Sequence, residues 1–293
     1  MAETMRVFVE ALPPTLGRAM HRINRELRKR APEGVEFVSS PGEADLQILD
    51  VIGTVSLRHL YLPDYVILQH CYLTTEQRDP QYWLPFLWEA RLVMSYHDLY
   101  HLTGADDFPF YRSPWGVDGA VFRDSGLPRT CAVLTSGYDL SGEPIGECHD
   151  AAKAVGLPAT HLGPALIRKD SFHAFNGVTD EKLSELYNRC PNVSGPRRGE
   201  GFELPVLEGL ACGARPIFSD TAGYRYWFGD HAVYLAELPP EELTRALIDV
   251  SLRKPEPVEQ EERKRVLERL DWSRIFDDFW LRVLEDNSSS VRL

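Results

Sequence analysis

The stretch from residue 200 to residue 220, EGFELPVLEGLACGARPIFSD, constrains the fold of this chain more than any other. After a polar loop, its apolar residues recur at helical spacing, at Leu204, Leu207, Leu210 and Ala211. Pro205 suits the first turn of a helix, where its missing N–H costs nothing. Gly213 then ends the helix, and residues 214–218 are typical of a short buried strand. The stretch therefore predicts a loop, a helix, a turn and a strand in succession.

The chemistry of this stretch indicates a ligand that carries both phosphate and hydroxyl groups. A loop that leads into a helix presents free backbone N–H groups and a partial positive charge, which suit a phosphate. Glu200 and Glu208 lie before and inside the helix, and carboxylates accept hydrogen bonds from sugar hydroxyls. The stretch thus predicts a nucleotide-sugar site. The alternative is a solvated helix start with ordinary surface acids.

The full motif resembles that of a known family. The first glutamate begins the sequence Glu-Gly-Phe. The second lies within Leu-Pro-x-Leu-Glu-x-x-Ala-x-Gly-x-x-Pro, so that the two are spaced as Glu-x7-Glu. This pattern closely resembles the donor-binding motif of retaining GT-B glycosyltransferases of the GT4 family, and similar stretches follow the family order along nearly the entire chain. The resemblance implies an α/β GT-B fold, with two Rossmann-like domains facing across a cleft and a C-terminal helix crossing back to the first. It also implies transfer of a sugar from a nucleoside-diphosphate sugar to an acceptor hydroxyl, with retention of configuration.

The resemblance also assigns roles to individual residues. Glu200 would hold hydroxyls of the transferred sugar, and Glu208 would hold the ribose hydroxyls. His70 ends a predicted strand over residues 64–70 and would contact the donor sugar, unless it is a structural histidine. The remaining donor-binding candidates are backbone or loop positions: Gly17, Gly201, Phe202 and Leu204.

The domain boundaries follow from a second family-like motif. Pro114-Trp115-Gly116-Val117-Asp118 is similar to the hinge motif of GT4 proteins, with Trp115 in place of the usual asparagine. A linker over residues 123–129 carries Gly126 and Pro128, which are typical of a domain boundary. We therefore expect three segments: a first domain at 1–125, a donor domain at 129–270, and a crossing helix with a frayed tail at 271–293.

The sequence departs from the family where the donor diphosphate would bind. GT4 enzymes usually carry an arginine and a lysine after the first strand of the second domain, whereas residues 136–143 contain no base. Arg197 and Arg198 would supply the missing charge, as would Lys169. Glu203 stands where the family prefers glycine. Two alternatives therefore stay open: a catalytically impaired protein that binds a nucleotide sugar or supports a partner, and a different reaction such as donor hydrolysis or epimerisation.

No metal or other cofactor is expected. The chain contains no Asp-x-Asp motif, which some glycosyltransferases use to bind a divalent ion. Stabilisation of the departing diphosphate would then come from helix N-termini and basic side chains.

Charge patterning leaves the acceptor open. The net charge of −12 disfavours a general polyanion binder. A predicted helix within residues 15–31 nevertheless carries six basic residues against Glu26 alone, a local charge of +5. It is either a solvated face or a docking face for an anionic lipid surface, glycan or modified DNA. Arg18 on this helix and His97 are the acceptor-side candidates.

The cysteine usage and the distribution of apolar residues indicate a cytoplasmic protein. A peripheral location at an anionic surface is the alternative. The five cysteines are scattered and odd in number, and we expect them to be reduced and mostly buried. The start of the chain does not resemble a signal peptide. No apolar run approaches the roughly 20 residues that span a bilayer.

Overall fold

The computed structural model describes residues 4–9, 18–51, 59–69, 80–99, 109–137, 143–163, 172–175, 177–195, 202–253, 255–256 and 258–285. The chain divides into two compact units, one of residues 1–115 with 272–293 and the other of residues 116–271. The division falls within the predicted hinge motif, between Trp115 and Gly116. No helix in the described ranges is both long and apolar enough to cross a membrane.

The first unit is built on a parallel sheet of six strands in the order β2-β1-β3-β4-β5-β6. Its strands are β1 (Met5–Val9), β2 (Val35–Val38), β3 (Leu46–Val51), β4 (Tyr65–Gln69), β5 (Leu92–Ser95) and β6 (Phe110–Arg112). Helices α1 (Arg18–Lys29) and α2 (Pro80–Glu89) connect them. Val66, Ile67 and Leu68 are fully buried, as expected for a strand covered on both faces.

The second unit contains another parallel sheet of six strands, in the order β12-β11-β10-β7-β8-β9. Its strands are β7 (Val133–Ser136), β8 (Ala159–Leu162), β9 (Phe172–Phe175), β10 (Asn192–Gly195), β11 (Arg215–Ser219) and β12 (Val233–Leu235). Its helices are α3 (Ile145–Ala154), α4 (Asp180–Asn188), α5 (Leu204–Ala211), α6 (Ala222–Phe228), α7 (Pro240–Leu247) and α8 (Gln260–Arg269). A π-helical turn, Ile248–Leu252, extends α7.

The last helix, α9 (Trp272–Glu285), returns to the first unit, which confirms the predicted crossing. The indole N–H of Trp280 donates to the carbonyl of Leu27 at the end of α1, over 3.2 Å. Arg91, at the start of β5, donates to the carbonyl of Val283 over 3.2 Å. The buried face of α9 is aromatic and aliphatic, and consists of Trp272, Ile275, Phe276, Phe279, Trp280 and Val283.

The motif helix α5 begins and ends where the sequence predicts. Pro205 lies in its first turn, and Gly213 follows its C-terminus with φ of +85°. Inside the helix, a Cβ added at Gly209 would lie 2.7 Å from Cγ1 of Val193 on β10. The absence of a side chain at Gly209 therefore lets α5 pack directly on the middle of the sheet.

Helix α6 begins at a side-chain cap, because the Thr221 hydroxyl accepts from the Tyr224 N–H over 3.4 Å. Both interpretations of the basic helix imply that its arginines, including Arg30 directly after α1, are exposed. Arg30 instead pairs with the buried Glu26, and its side chain is only 14% exposed. Arg28 stays exposed but lies over the ring of Phe37, at 4.6 Å from the centroid.

Candidate functional site

The carboxyl edge of the second sheet contains the point where the strand order reverses. Strands β7 and β10 are neighbours, and the chain leads away from them in opposite directions. Parallel α/β sheets bind ligands at such a switch point, because the loops on either side diverge and leave a crevice. A depression lies there, and we call it the switch-point crevice. It is lined by Thr135, Ser136, Glu143, Pro144, Ile145, Ser194 and Gly195.

The segment entering α5 is anchored by its apolar side chains. Phe202 is 3% exposed and stacks on Phe228, with ring centroids 5.5 Å apart, while its edge meets Trp227. Leu204 is buried as well. Of the predicted donor-binding residues, these two therefore have side chains in the core of the second unit. Their burial fixes the start of α5 against the sheet, and their own contribution to ligand binding would come from the backbone.

Glu203 lies at the N-cap of α5, and its carboxylate is buried. Its side chain does not cap the helix. Oε1 instead accepts a hydrogen bond of 2.7 Å from the hydroxyl of Tyr224 on α6. The sequence marked this residue only as a departure from the family pattern. The sequence did not single out Tyr224, because this contact joins two helices that are separate in the chain.

Glu208, predicted to read the ribose, lies in the middle of α5 and is 2% exposed. Its Oε2 accepts a hydrogen bond of 3.1 Å from the hydroxyl of Tyr187, a fully buried residue of α4. A carboxylate held in this way has a fixed orientation, since rotating it would leave the tyrosine hydroxyl without this acceptor. Tyr187 therefore orients Glu208, although no feature of the sequence singled it out.

A buried polar cluster lies beneath the switch-point crevice. The Thr135 hydroxyl is 3.1 Å from Nε2 of His149 on α3 and 3.0 Å from Nδ1 of His161 on β8. Burial, with a further contribution from His161, lowers the pKa of His149 to about 4. Beside them, Cys148 Sγ lies 3.1 Å from the Ser194 hydroxyl, and burial raises the pKa of this thiol to about 12. Polar residues within apolar strands were the signal that could have revealed this cluster.

In the first unit, one predicted acceptor-side residue is described. His97 follows β5, is 8% exposed, and its ring lies 4.3 Å from that of Tyr96. Its backbone N–H donates to the Ser95 hydroxyl over 3.1 Å. His97 thus lies at the carboxyl edge of the first sheet, in a largely buried position, and its role on the acceptor side stays a prediction.

Several predicted site residues lie outside the described part of the chain. They are Gly17, His70, Arg197, Arg198, Glu200 and Gly201, together with the side chain of Arg18 at the start of α1. In the sequence, residues 196–201 follow β10 and precede the segment that enters α5. Their roles stay predictions.

Within the ranges that the structure describes, no three His, Cys, Asp or Glu side chains are grouped so that they could hold a metal ion. Metal independence stays a prediction.

Solved glycosyltransferases share this architecture over their full length. Sucrose-phosphate synthase from Thermosynechococcus elongatus superposes with a TM-score of 0.68 at 12% identity, covering 98% of this chain and 100% of that one. HepE from Anabaena, solved in complex with UDP and glucose, gives a TM-score of 0.68 at 15% identity, covering 97% and 100%. A glycosyltransferase from Rickettsia africae gives 0.67 at 10% identity, covering 99% and 100%.

At these identities the likeness establishes the fold. The chain has the GT-B fold of these glycosyltransferases: two Rossmann-like α/β units, with the last helix returned to the first. The predicted fold class is thereby confirmed. No protein-family model matches the sequence, and no curated protein sequence matches it.

Proposed function

We propose that this protein is a glycosyltransferase of the GT4 type, which transfers a sugar from a nucleoside-diphosphate sugar to an acceptor hydroxyl with retention of configuration and without a metal. The observation that carries the proposal is the likeness, over nearly the whole chain, to solved glycosyltransferases, one of them bound to UDP and glucose. The Glu-x7-Glu motif supports it independently, because its second glutamate lies on α5, which packs on β10 and β11 of the second sheet.

Each part of the donor has a group in this chain suited to it. Glu208, held by the Tyr187 hydroxyl, would accept hydrogen bonds from the ribose hydroxyls. Glu200 and His70 would bind hydroxyls of the transferred sugar, with backbone N–H groups of Gly201 and Phe202 beside them. Gly17 would allow the first loop to approach the diphosphate.

The leaving group needs compensation of its charge, because negative charge builds up on the diphosphate as the bond to the anomeric carbon breaks. Arg197 and Arg198 are placed in the chain to supply it, since they lie between β10 and α5. The acceptor oxygen then bonds to the anomeric carbon on the same face, and its proton passes to the departing phosphate oxygen. This route uses no protein nucleophile.

The acceptor is proposed to be anionic and to approach the first unit. Arg25, Arg28 and Lys29 on α1 are exposed, which leaves a smaller basic face than the sequence indicated. An anionic lipid surface, a glycan or modified DNA fits this face. A cytoplasmic location, peripheral at an anionic surface, is part of the same proposal.

A ligand-binding screen, followed by a measurement of sugar transfer, tests the proposal. Nucleoside diphosphates and their sugars are screened by thermal shift, since a ligand that binds the native state raises its stability. Sugar transfer and nucleotide release are then measured with candidate acceptors. We expect the double variant Arg197→Ala/Arg198→Ala to lose sugar transfer. Arg245→Ala on α7 is the control for the loss of one arginine charge, and it should keep sugar transfer. Unchanged transfer in the double variant would remove both arginines from the mechanism.

One alternative has a specific observation in its favour. Residues 136–143, at the end of β7 and after it, contain no arginine or lysine that could bind a diphosphate. A nucleotide-sugar-binding protein without transferase activity is therefore the second candidate. It would bind a donor with no release of nucleotide, whether or not an acceptor is present.

A further inference from the structure

Two cysteines of the second unit lie side by side at the amino ends of neighbouring strands. Cys131 comes just before β7, and Cys190 comes just before β10. The N–H of Cys131 donates to the carbonyl of Arg189 over 3.0 Å, which is the hydrogen bond of a parallel pair that sets Cys131 opposite Cys190. The register of the strands gives the same pairing. Val193 lies opposite Leu134, and each cysteine precedes its strand's residue by the same distance in the chain.

The two thiol groups meet around one hydroxyl group. Thr160 Oγ1 donates to Cys131 Sγ over 3.4 Å and also shares a hydrogen bond with Cys190. The two thiols are hydrogen-bonded to each other as well. Neighbouring strands lie about 4.8 Å apart, and the Cα atoms of a disulfide are usually ~4.4–6.8 Å apart. A disulfide between Cys131 and Cys190 therefore needs little movement of the backbone.

The two thiols differ in their access to solvent. Cys190 is fully buried, whereas Cys131 is partly exposed. The hydrogen bond to Cys131, together with burial, raises the pKa of Cys190 well above its ordinary value, so that Cys190 keeps its proton at neutral pH. Because a dissolved oxidant must reach the sulfur, Cys131 is the thiol that reacts first. Cys190 then lies next to it as the resolving thiol, the arrangement of redox-sensing pairs.

Two other cysteines in the described ranges have different surroundings. Cys148 Sγ lies 3.1 Å from the Ser194 hydroxyl, and Cys212 Sγ lies 3.7 Å from the Ser184 hydroxyl. Both cysteines are fully buried. Burial raises the pKa of Cys148 to about 12 and the pKa of Cys212 to about 11. These two thiols are protonated and shielded, and they serve as internal controls.

We infer that Cys131 and Cys190 form a reversible disulfide, which makes the stability of the second unit sensitive to peroxide. The Cys131 sulfur attacks one oxygen of hydrogen peroxide and becomes a sulfenic acid, while the other oxygen leaves as water with the Cys131 proton. The Cys190 sulfur then attacks the Cys131 sulfur, and the sulfenic hydroxyl leaves with the Cys190 proton as a second water. Two thiols are thereby oxidised to one disulfide, and one peroxide is reduced to two waters.

The disulfide acts on stability through the loop that it closes. Residues 131–190 include α3, β8, β9 and α4, and a cross-link across so long a segment restricts the unfolded chain far more than the folded one. The pair lies at the amino ends of β7 and β10, whereas the candidate donor site lies at the carboxyl edge of the same sheet. The inference thus goes beyond the proposed function and does not depend on it.

The test treats the full chain with hydrogen peroxide, blocks the remaining thiols with N-ethylmaleimide and maps disulfides by mass spectrometry. Trypsin and a glutamate-specific protease are used together, because Glu143 and Glu147 lie between Cys131 and Cys148 and allow the two to be separated. We expect a cross-link between the peptides of Cys131 and Cys190 that dithiothreitol reverses. Hydrogen exchange of the amides in β7 and β10 should slow by more than about tenfold after oxidation and recover after reduction.

Serine variants separate this pair from the other thiols. Cys131→Ser and Cys190→Ser should lose both the cross-link and the slower exchange, whereas Cys148→Ser should keep both. Oxidation of Cys131 to a sulfinic acid without a cross-link would overturn the inference. A main cross-link to any other cysteine would do the same, as would a Cys131–Cys190 cross-link that leaves hydrogen exchange unchanged. If a serine variant does not fold, the mapping and the exchange of the unmodified protein decide the question, because neither needs a substitution.

Discussion

The close packing of α5 on β10 reverses the usual effect of a glycine-to-alanine substitution. Inside a helix this change normally raises stability by about 0.5–1 kcal/mol, because alanine has less backbone freedom to lose. At Gly209, an added Cβ would lie 2.7 Å from Val193 Cγ1 and 2.8 Å from Val193 Cβ. Carbon atoms pack best at ~3.5–4.0 Å, so the helix or the strand would have to move by roughly 1 Å.

That movement has little room, because Val193 is 1% exposed and α5 is buried on its other faces. Overpacking a closed core costs about 1–3 kcal/mol, which exceeds the helical gain. We therefore expect Gly209→Ala to lower the free energy of unfolding by about 1–2 kcal/mol. A side chain at this position is disfavoured by the neighbouring strand, although the helix itself would accept it.

Gly146 provides a matched control for this prediction. It also lies in a helix, α3, but an added Cβ there would meet nothing within 4 Å. Gly146→Ala should therefore keep or raise stability. Because a chain of two units need not unfold in one step, hydrogen exchange of amides in α5 and β10 is measured beside the guanidinium unfolding midpoint. An increase in protection for Gly209→Ala equal to that for Gly146→Ala would refute the packing argument.

The remaining predictions concern other buried contacts. Trp280→Phe keeps the aromatic ring but removes the hydrogen bond to Leu27, and should cost about 1 kcal/mol and raise hydrogen exchange in α9; unchanged exchange would contradict it. His149 has a pKa of about 4 when folded and an ordinary pKa of 6.5, so that stability falls as the pH drops from 6.5 to 4. Between these pH values the free energy of unfolding should fall by roughly 3 kcal/mol in the unmodified protein and by less in His149→Gln. An equal fall in both proteins would contradict the prediction. Tyr187→Phe should weaken binding of nucleoside diphosphates several-fold by releasing Glu208, while leaving pyrophosphate binding unchanged; parallel loss of both would indicate a general structural defect.

Elements of the second unit could be predicted where the residues that determine them lie close together in the sequence. Helix α5 follows from apolar spacing, Pro205 and Gly213, all within ten residues or so of each other. Strands β6, β9, β10 and β12 were not predicted. They are three or four residues long, and Asn192–Gly195 in particular contains polar residues. It becomes a strand because β7 and β11 pair with it on both sides, and that information lies far away in the chain.

The candidate site shows the same division between local and distant information. The motif identified Glu208 and Phe202, because the family pattern is contiguous. It could not identify Tyr187, whose hydroxyl reaches Glu208 across two helices, nor Tyr224, which holds Glu203. These contacts are created by tertiary packing, since both tyrosines lie about twenty residues from their glutamates.

The return of α9 to the first unit has a consequence for how the chain acquires its structure. The ribosome completes all of residues 116–271 before it produces the helix that seats Trp280 against α1. The second unit can therefore finish folding during translation, whereas the first keeps an apolar surface open until residues 272–285 have been made. A pause or truncation before residue 272 would leave a protein with one intact half and one half suited to chaperone capture.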